Sequence, residues 1–164
     1  MRGQKKLYDI LARLDIGFEY HEHPPLATIE DAIIHWKDFK SGRCKNIFFR
    51  NHKGNRHYLV ILEHLRQLDI RDLEKRLGQG KLTFASGKRL KKYLGVEPGS
   101  VSPFGLINDH ENHVHLFIDK QLDEHERLAF HPNLNTASLV LSKKDFLKFL
   151  DYTGNSYEFI KLYD

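Results

Sequence analysis

Cys44-Lys45-Asn46-Ile47-Phe48-Phe49-Arg50 reads as a β-strand, and Asn51-His52-Lys53-Gly54-Asn55 after it reads as a hairpin loop entering a second strand over 56–63. Apolar side chains at 47, 48 and 49 occupy both faces of the first strand, so solvent covers neither face completely. An ammonium and an amide at positions 45 and 46 are out of keeping with that burial. A charge entering such an element must find a partner or line a cavity. The Lys45-Asn46 pair therefore predicts the floor of a pocket.

The elements around this hairpin alternate between helix and strand. Leu7, Ile10, Leu11 and Leu14 recur at helical spacing and predict an opening helix that stops near Gly17. Residues 18–23 alternate as a strand, ended by Pro24-Pro25. Thr28 with Asp31 resembles a capping box for a helix through Trp36. Asp69 to Leu77 predicts a short helix stopped by Gly78. A brief strand follows at 82–84, then a helix capped by Ser86 and stopped by Gly95. Strands are expected at 114–118, 127–130 and 137–141, a helix at 146–152 capped by Ser142, and a closing strand at 157–162. With no repeat or linker, the expectation is one α+β domain over residues 1–164, a mixed or antiparallel sheet flanked by helices.

The chain has 164 residues, 40% of them hydrophobic and 12% aromatic, which suits a folded domain with a substantial core. The formal charge of +4 is compatible with a polyanionic partner without requiring one. Cys44 is the single cysteine, which excludes an intramolecular disulfide and the CxxC zinc patterns. No apolar run approaches the ~20 residues of a membrane span, so no membrane is expected and the cytoplasm is the expected location.

Several motifs carry chemistry in more than one reading. His21 and His23, and His110, His113 and His115, invite a metal, but no HExxH helix accompanies them, and no metal is expected. Cys44 beside Arg43 and Lys45 could be an activated thiol or a small apolar filler. Strand alternation puts Cys44 and Lys45 on opposite faces and favours the filler. His131 follows the apolar run Leu128-Ala129-Phe130 and precedes a turn-forming segment, which suits a pocket rim as well as a turn. Gly99-Ser100-Val101-Ser102-Pro103-Phe104-Gly105 fits neither a Walker loop nor GxGxxG, yet could present amides to an anion. Lys81, Lys88, Arg89, Lys91 and Lys92 surround one helix beside Tyr93, as either a solvated face or a track for a phosphate backbone.

Taken together and in this order, Lys45-Asn46 on a strand, the segment from Gly99 to Leu106, and Phe130-His131-Pro132-Asn133 running into Asn135-Thr136-Ala137 resemble the YbaK-like aminoacyl-tRNA editing family. Within it the chain is similar to the free-standing ProX/PrdX branch, related to the editing insertion domain of bacterial prolyl-tRNA synthetases. The resemblance covers essentially the whole chain. It implies hydrolysis of alanine wrongly attached to tRNA(Pro), with the aminoacyl-tRNA as partner, prolyl-tRNA synthetase as a further one, and no cofactor. Lys45 would supply charge near the ester or the terminal phosphate, Asn46 would orient the substrate, and His131 would hold the amino acid or the water. Gly99, Ser100, Val101, Ser102, Gly105, Asn135 and Thr136 would bind substrate, with amides of 99–102 toward the oxyanion and the terminal adenosine. Ile33, Ile34 and Ile47 are candidate pocket walls. The alternatives are cysteinyl-tRNA(Pro) as substrate, a non-catalytic nucleic-acid-binding module built on the basic helix, and a metal-dependent hydrolase.

Overall fold

The computed structural model describes residues 1–25, 42–63 and 67–164. In chain order it contains helix α1 (Lys5–Arg13) and strands β1 (Glu19–Glu22), β2 (Gly42–Asn51) and β3 (His57–Glu63), then α2 (Ile70–Leu77), β4 (Leu82–Phe84) and α3 (Gly87–Leu94). A 3-10 helix (Pro103–Asn108), β5 (Val114–Asp119) and a second 3-10 helix (Lys120–Glu124) follow. The chain finishes with β6 (Arg127–Phe130), β7 (Ala137–Ser142), α4 (Lys143–Thr153) and β8 (Tyr157–Ile160). The helix expected from Thr28 to Trp36, with Ile33 and Ile34, lies outside the described residues.

The strands form a mixed sheet in the order β1-β7-β6-β2-β3-β5-β8, with β4 added to β2. Pairs β1–β7, β6–β7, β2–β3 and β2–β4 are antiparallel, while β2–β6, β3–β5 and β5–β8 are parallel. The α+β class with a mixed sheet is thus as the sequence predicts.

Both faces of β2 are buried, and by different partners. Cys44 and Phe48 join Leu59, Ile61, Leu116 and Ile118 in a core closed by α1, α3, the first 3-10 helix and α4. Phe49 joins Val60, Leu62 and Phe117 in a second core under Leu73 and Leu77 of α2. Each large side chain buried this way contributes roughly 1.5–3 kcal/mol.

The helix ends follow their capping residues. Asp69, Ser86 and Ser142 accept hydrogen bonds from the first-turn amides of α2, α3 and α4, and each helix ends on a left-handed glycine. Helix α4 starts at Lys143 rather than Phe146, because Ser142 caps a polar first turn ahead of the apolar run. The closing strand stops at Ile160, and Leu162 turns into the second core. Residues 103–108 wind into a 3-10 helix. Its Phe104 is fully buried and packs edge-on to Phe130 and Phe149. Removing that ring would cost about 3–5 kcal/mol.

Candidate active site

The site is organised by the way β2 changes neighbours. Its first two residues pair in parallel with β6, Gly42 with Leu128 and Arg43 with Ala129. Its last three pair with β4, Asn51 with Leu82 through Phe49 with Phe84. Between them, residues 44–47 border a split where β6 and β4 diverge. Beyond the paired Arg43 and Ala129, the β2–β6 register extended by two residues would bring Lys45 to the level of His131, which follows the end of β6.

Alternation decides which side chains share that split. Lys45 pairs with Leu62, which belongs to the second core, whereas Asn46 pairs with Ile61 of the first. Lys45 and Asn46 therefore sit on opposite faces of β2 and do not form one side of a floor. Lys45 is on the face of Ile47 and Phe49, and Asn46 on that of Cys44 and Phe48. The Asn46 side-chain carbonyl oxygen is buried with no hydrogen-bond partner among the described residues. An acceptor left so costs about 1–3 kcal/mol, which a substrate N–H or O–H would relieve.

His131 leaves the end of β6 with its ring largely buried. Its Nδ1 donates to the Ala137 carbonyl oxygen at 2.9 Å, which makes Nε2 the acceptor nitrogen of the neutral ring. Burial holds its pKa below the ordinary histidine value, the Ala137 carbonyl works against that, and the His23 ring adds to it. The two rings lie 5.8 Å apart between centroids. His23 Nδ1 donates to the Pro24 carbonyl at 2.9 Å, and its Nε2 accepts from the Ser138 hydroxyl at 2.8 Å.

The glycine segment and the histidine segment meet. The Glu97–Ser100 turn closes with the Ser100 amide on the Glu97 carbonyl, over Gly99 in the left-handed region at φ +87°. A Cβ on Gly99 would lie 3.6 Å from Asn135 Nδ2. Asn133, itself left-handed, donates from Nδ2 to the Phe104 carbonyl and to Gln4 Oε1, both at 3.3 Å. Thr136 contributes its carbonyl to the His23 amide. Gln4 and Asn133 carry this junction. The histidine motif contains Asn133 but gives it no role, and Gln4 has no signal beyond being polar near the chain start.

Two expectations for the glycine segment are corrected. The amides of Ser100 and Gly105 are not available to an anion, because they bond to the carbonyls of Glu97 and Ser102. Gly105 is a packing residue: a Cβ there would lie 2.8 Å from the Leu94 carbonyl, so the glycine lets the 3-10 helix close on α3. Ser102 is fully buried and caps that helix through its hydroxyl. Gly99, Val101 and Ser102 keep their amides outside these turns.

Cys44 is buried, and burial pushes its thiol well above the usual range, the opposite of an activated nucleophile. The histidines considered for a metal are dispersed. His21 reaches Glu19, His113 meets His57, and His115 reaches Ser156 and Glu158. Among the described residues no helix is long and apolar enough to cross a membrane.

The sequence model of the aminoacyl-tRNA editing domain matches residues 23–149, which include the split, the glycine segment and the histidine segment. The chain belongs to the aminoacyl-tRNA editing family. Editing here is hydrolysis of an aminoacyl-tRNA ester, so the protein is an aminoacyl-tRNA deacylase. Among curated relatives, the prolyl-tRNA editing protein ProX of Acetoanaerobium sticklandii is 38% identical over 156 residues, 93% of this chain and 95% of that one. Prolyl-tRNA synthetase associated domain-containing protein 1 of Bos taurus is 36% identical over 149 residues, 88% and 86% of the two chains. The fold of this editing domain recurs in the hypothetical protein APE2540 (TM-score 0.70, 16% identity, 95% and 99% coverage). It recurs also in a candidate trans-editing enzyme for prolyl tRNA synthetase (TM-score 0.67, 19% identity, 98% and 99% coverage).

Proposed function

We propose that the protein edits mischarged tRNA(Pro) in trans, hydrolysing the ester that links alanine to its terminal ribose. The observation that carries this reading is the parallel pairing of Gly42 with Leu128 and Arg43 with Ala129, whose register, if continued, would bring Lys45 beside His131 at the split between β6 and β4. It is supported by a ProX relative, named as a prolyl-tRNA editing protein, that matches nearly end to end. Prolyl-tRNA synthetase is the proposed source of the mischarged substrate, since a pocket that accepts proline cannot strongly exclude the smaller alanine.

The chemistry asks little of the protein beyond position and charge. Water adds to the ester carbonyl carbon, and the bond from that carbon to the ribose oxygen breaks. The ribose leaves as a hydroxyl carrying a proton, and free alanine is released. Lys45 offsets negative charge on the tetrahedral oxyanion or on the adjacent phosphate, which counts for more in a partly dried cleft than in water. His131, neutral and accepting at Nε2, orients the water or the amino group. Asn46, across the strand, offers its buried acceptor to a ribose hydroxyl or an amide-like donor. Val101, Asn135 and Thr136 border the terminal adenosine, with the buried Ser102 holding the turn behind them. Ile47, on the Lys45 face and packed on the second core, is the described wall that limits side-chain size.

The deciding experiment is a deacylation panel with alanine, cysteine, serine and proline esters on tRNA(Pro). The expected result is rapid release of alanine with proline spared. Release no faster than spontaneous hydrolysis for every ester would overturn the editing role. Faster release of cysteine than alanine would replace the substrate.

A further inference from the structure

The chain's charge is distributed far from evenly. Residues 43–62 and 75–96 hold 12 of the 26 lysines and arginines and none of the 22 aspartates and glutamates, leaving the rest of the chain net acidic. In the fold these two runs come together. Arg89 of α3 donates from Nη1 to the Gly54 carbonyl at 3.0 Å and to His57 Nε2 at 2.9 Å, binding α3 to the β2–β3 hairpin tip. With Arg89 used inside, the exposed cations are Lys53 and Arg56 on the tip, Lys81 beside it, and Lys88, Lys91 and Lys92 on α3, with Lys75 exposed separately on α2. Lys53, Arg56 and Lys81 line one groove of about 450 Å³. Lys91 lies 3.9 Å from Glu97, and Lys92 sits over the Tyr93 ring.

Strand β2 ties the hairpin tip to the split, while α3, packed on the first-core face of the sheet, reaches the tip from the other side. Strand β2 runs from Lys45 to the hairpin at Asn51, a span of about 20 Å at the usual strand rise of roughly 3.3 Å per residue. Between them, nearer the hairpin, Phe84 pairs with Phe49 on the Lys45 face, and its ring is 55% exposed although it stacks on the buried Phe49 ring at 5.1 Å. An exposed aromatic followed by a cluster of cations, with Glu97 beside Lys91 as the carboxylate at its margin, suits a nucleic-acid strand: a ring for a base, then charges for the backbone.

Building on the editing reading, we infer that the hairpin tip and the outer face of α3 form a docking surface for double-stranded RNA. It receives the phosphate backbone of the tRNA acceptor stem while the unpaired 3′ end passes Phe84 to reach Lys45. Duplex RNA is gripped through its backbone and 2′-hydroxyls, so this surface contributes affinity and register without reading sequence. Lys45 and His131 then act on an ester already delivered, and the surface should influence KM far more than kcat.

The test uses the full chain with two independent double variants of exposed residues, Lys53→Glu with Arg56→Glu and Lys88→Glu with Lys92→Glu. Three quantities are measured: affinity for uncharged tRNA(Pro) across a salt series, hydrolysis of alanyl-tRNA(Pro), and hydrolysis of alanine esterified to a short oligonucleotide without a stem. Each pair should weaken tRNA binding at least tenfold and make the salt dependence shallower by about one unit for each phosphate no longer neutralised. KM for alanyl-tRNA should rise in parallel, with kcat within twofold and the stemless ester hydrolysed as before. Phe84→Ala should raise KM for both substrates. Unchanged tRNA affinity in both pairs overturns the proposal, and so does an equal loss on the stemless ester. Affinity lost only for an acidic protein partner would overturn it in favour of a protein interface. If the wild-type chain hydrolyses neither ester, the editing reading falls, and the binding series with uncharged tRNA still decides the surface.

Discussion

Asn133 donates a hydrogen bond to Gln4 across 129 residues of sequence, and this contact ties the turn after His131 to the start of the chain. Gln4 Oε1 also accepts from Asn108 at 3.2 Å, and its Nε2 donates to the Gly95 carbonyl at 3.0 Å. One amide thus holds the end of α3, the first 3-10 helix and the turn after His131 in register. Gln4→Ala should strand these groups at about 1–3 kcal/mol. That amounts to a Tm lower by roughly 3–10 °C in a domain of this size. Deacylation should fall with it, because the His131 turn loosens. A thermal melt of the variant indistinguishable from wild type would show that water replaces the network at no cost.

The proposed site, with Lys45 brought toward His131 by the β2–β6 register, gives a sharper expectation for activity. If the proposed site is right, Lys45→Ala removes a charge beside the ester and should lower kcat by about 10²–10³-fold, the size associated with removing one preorganised electrostatic group. Lys45→Arg keeps the charge but spreads it over a planar fork, so it should recover only part of the rate. Both variants should melt as wild type does. Full single-turnover activity in Lys45→Ala would remove this residue from the site.

How much of this is legible in the sequence depends on the range of the interaction involved. Asp69, Ser86 and Ser142 are readable because a cap is decided within a few residues of the chain. Strands β2 and β3 are readable because alternation and the intervening loop are local. The separation of Lys45 from Asn46 is also implied by alternation, but which face holds the site depends on the parallel pairing of β2 with β6. Nothing near residue 45 encodes that pairing. Gly105 misleads for a similar reason: a glycine needed for close approach to Leu94 looks, in sequence, like a glycine needed for an anion. Gln4 is invisible because a single polar residue carries no period. The editing motifs are recognisable as a set, since their order reflects the whole fold.

The protonation state of His131 makes a pH prediction. Its pKa is held below the ordinary 6.5, chiefly by burial, so the ring is neutral at and above neutrality and Nε2 accepts there. Enzymatic deacylation, corrected for spontaneous ester hydrolysis, should therefore stay level from pH 8 down through 6.5 and lose rate only below it. An acid limb centred at or above 6.5 would contradict the buried, neutral ring. In His131→Asn, which can keep a polar contact but does not titrate, the acid limb should flatten as the rate drops.

His57 should dominate the acid sensitivity of the fold. It is 1% exposed, donates from Nδ1 to His113 Nε2 at 2.8 Å, accepts at Nε2 from Arg89, and lies against the rings of Phe48 and Tyr93. Burial first, then His113, Arg89, Lys92 and Arg50, lower its pKa from 6.5 to about 4. The unfolded chain therefore binds a proton on this ring more readily than the folded one. Stability is whole above pH 6.5, declines as the pH falls toward about 4, and levels off below that, with a loss on the order of 3 kcal/mol from this group. Urea unfolding at pH 7, 5.5 and 4.5 should show that decline in the wild type. In His57→Gln the starting stability should be lower and the slope over the same window smaller by up to one proton. Equal slopes in the two proteins would mean that the unfolded and folded rings titrate alike, and that the contacts of His57 with Arg89 and His113 do not bias it toward the neutral form.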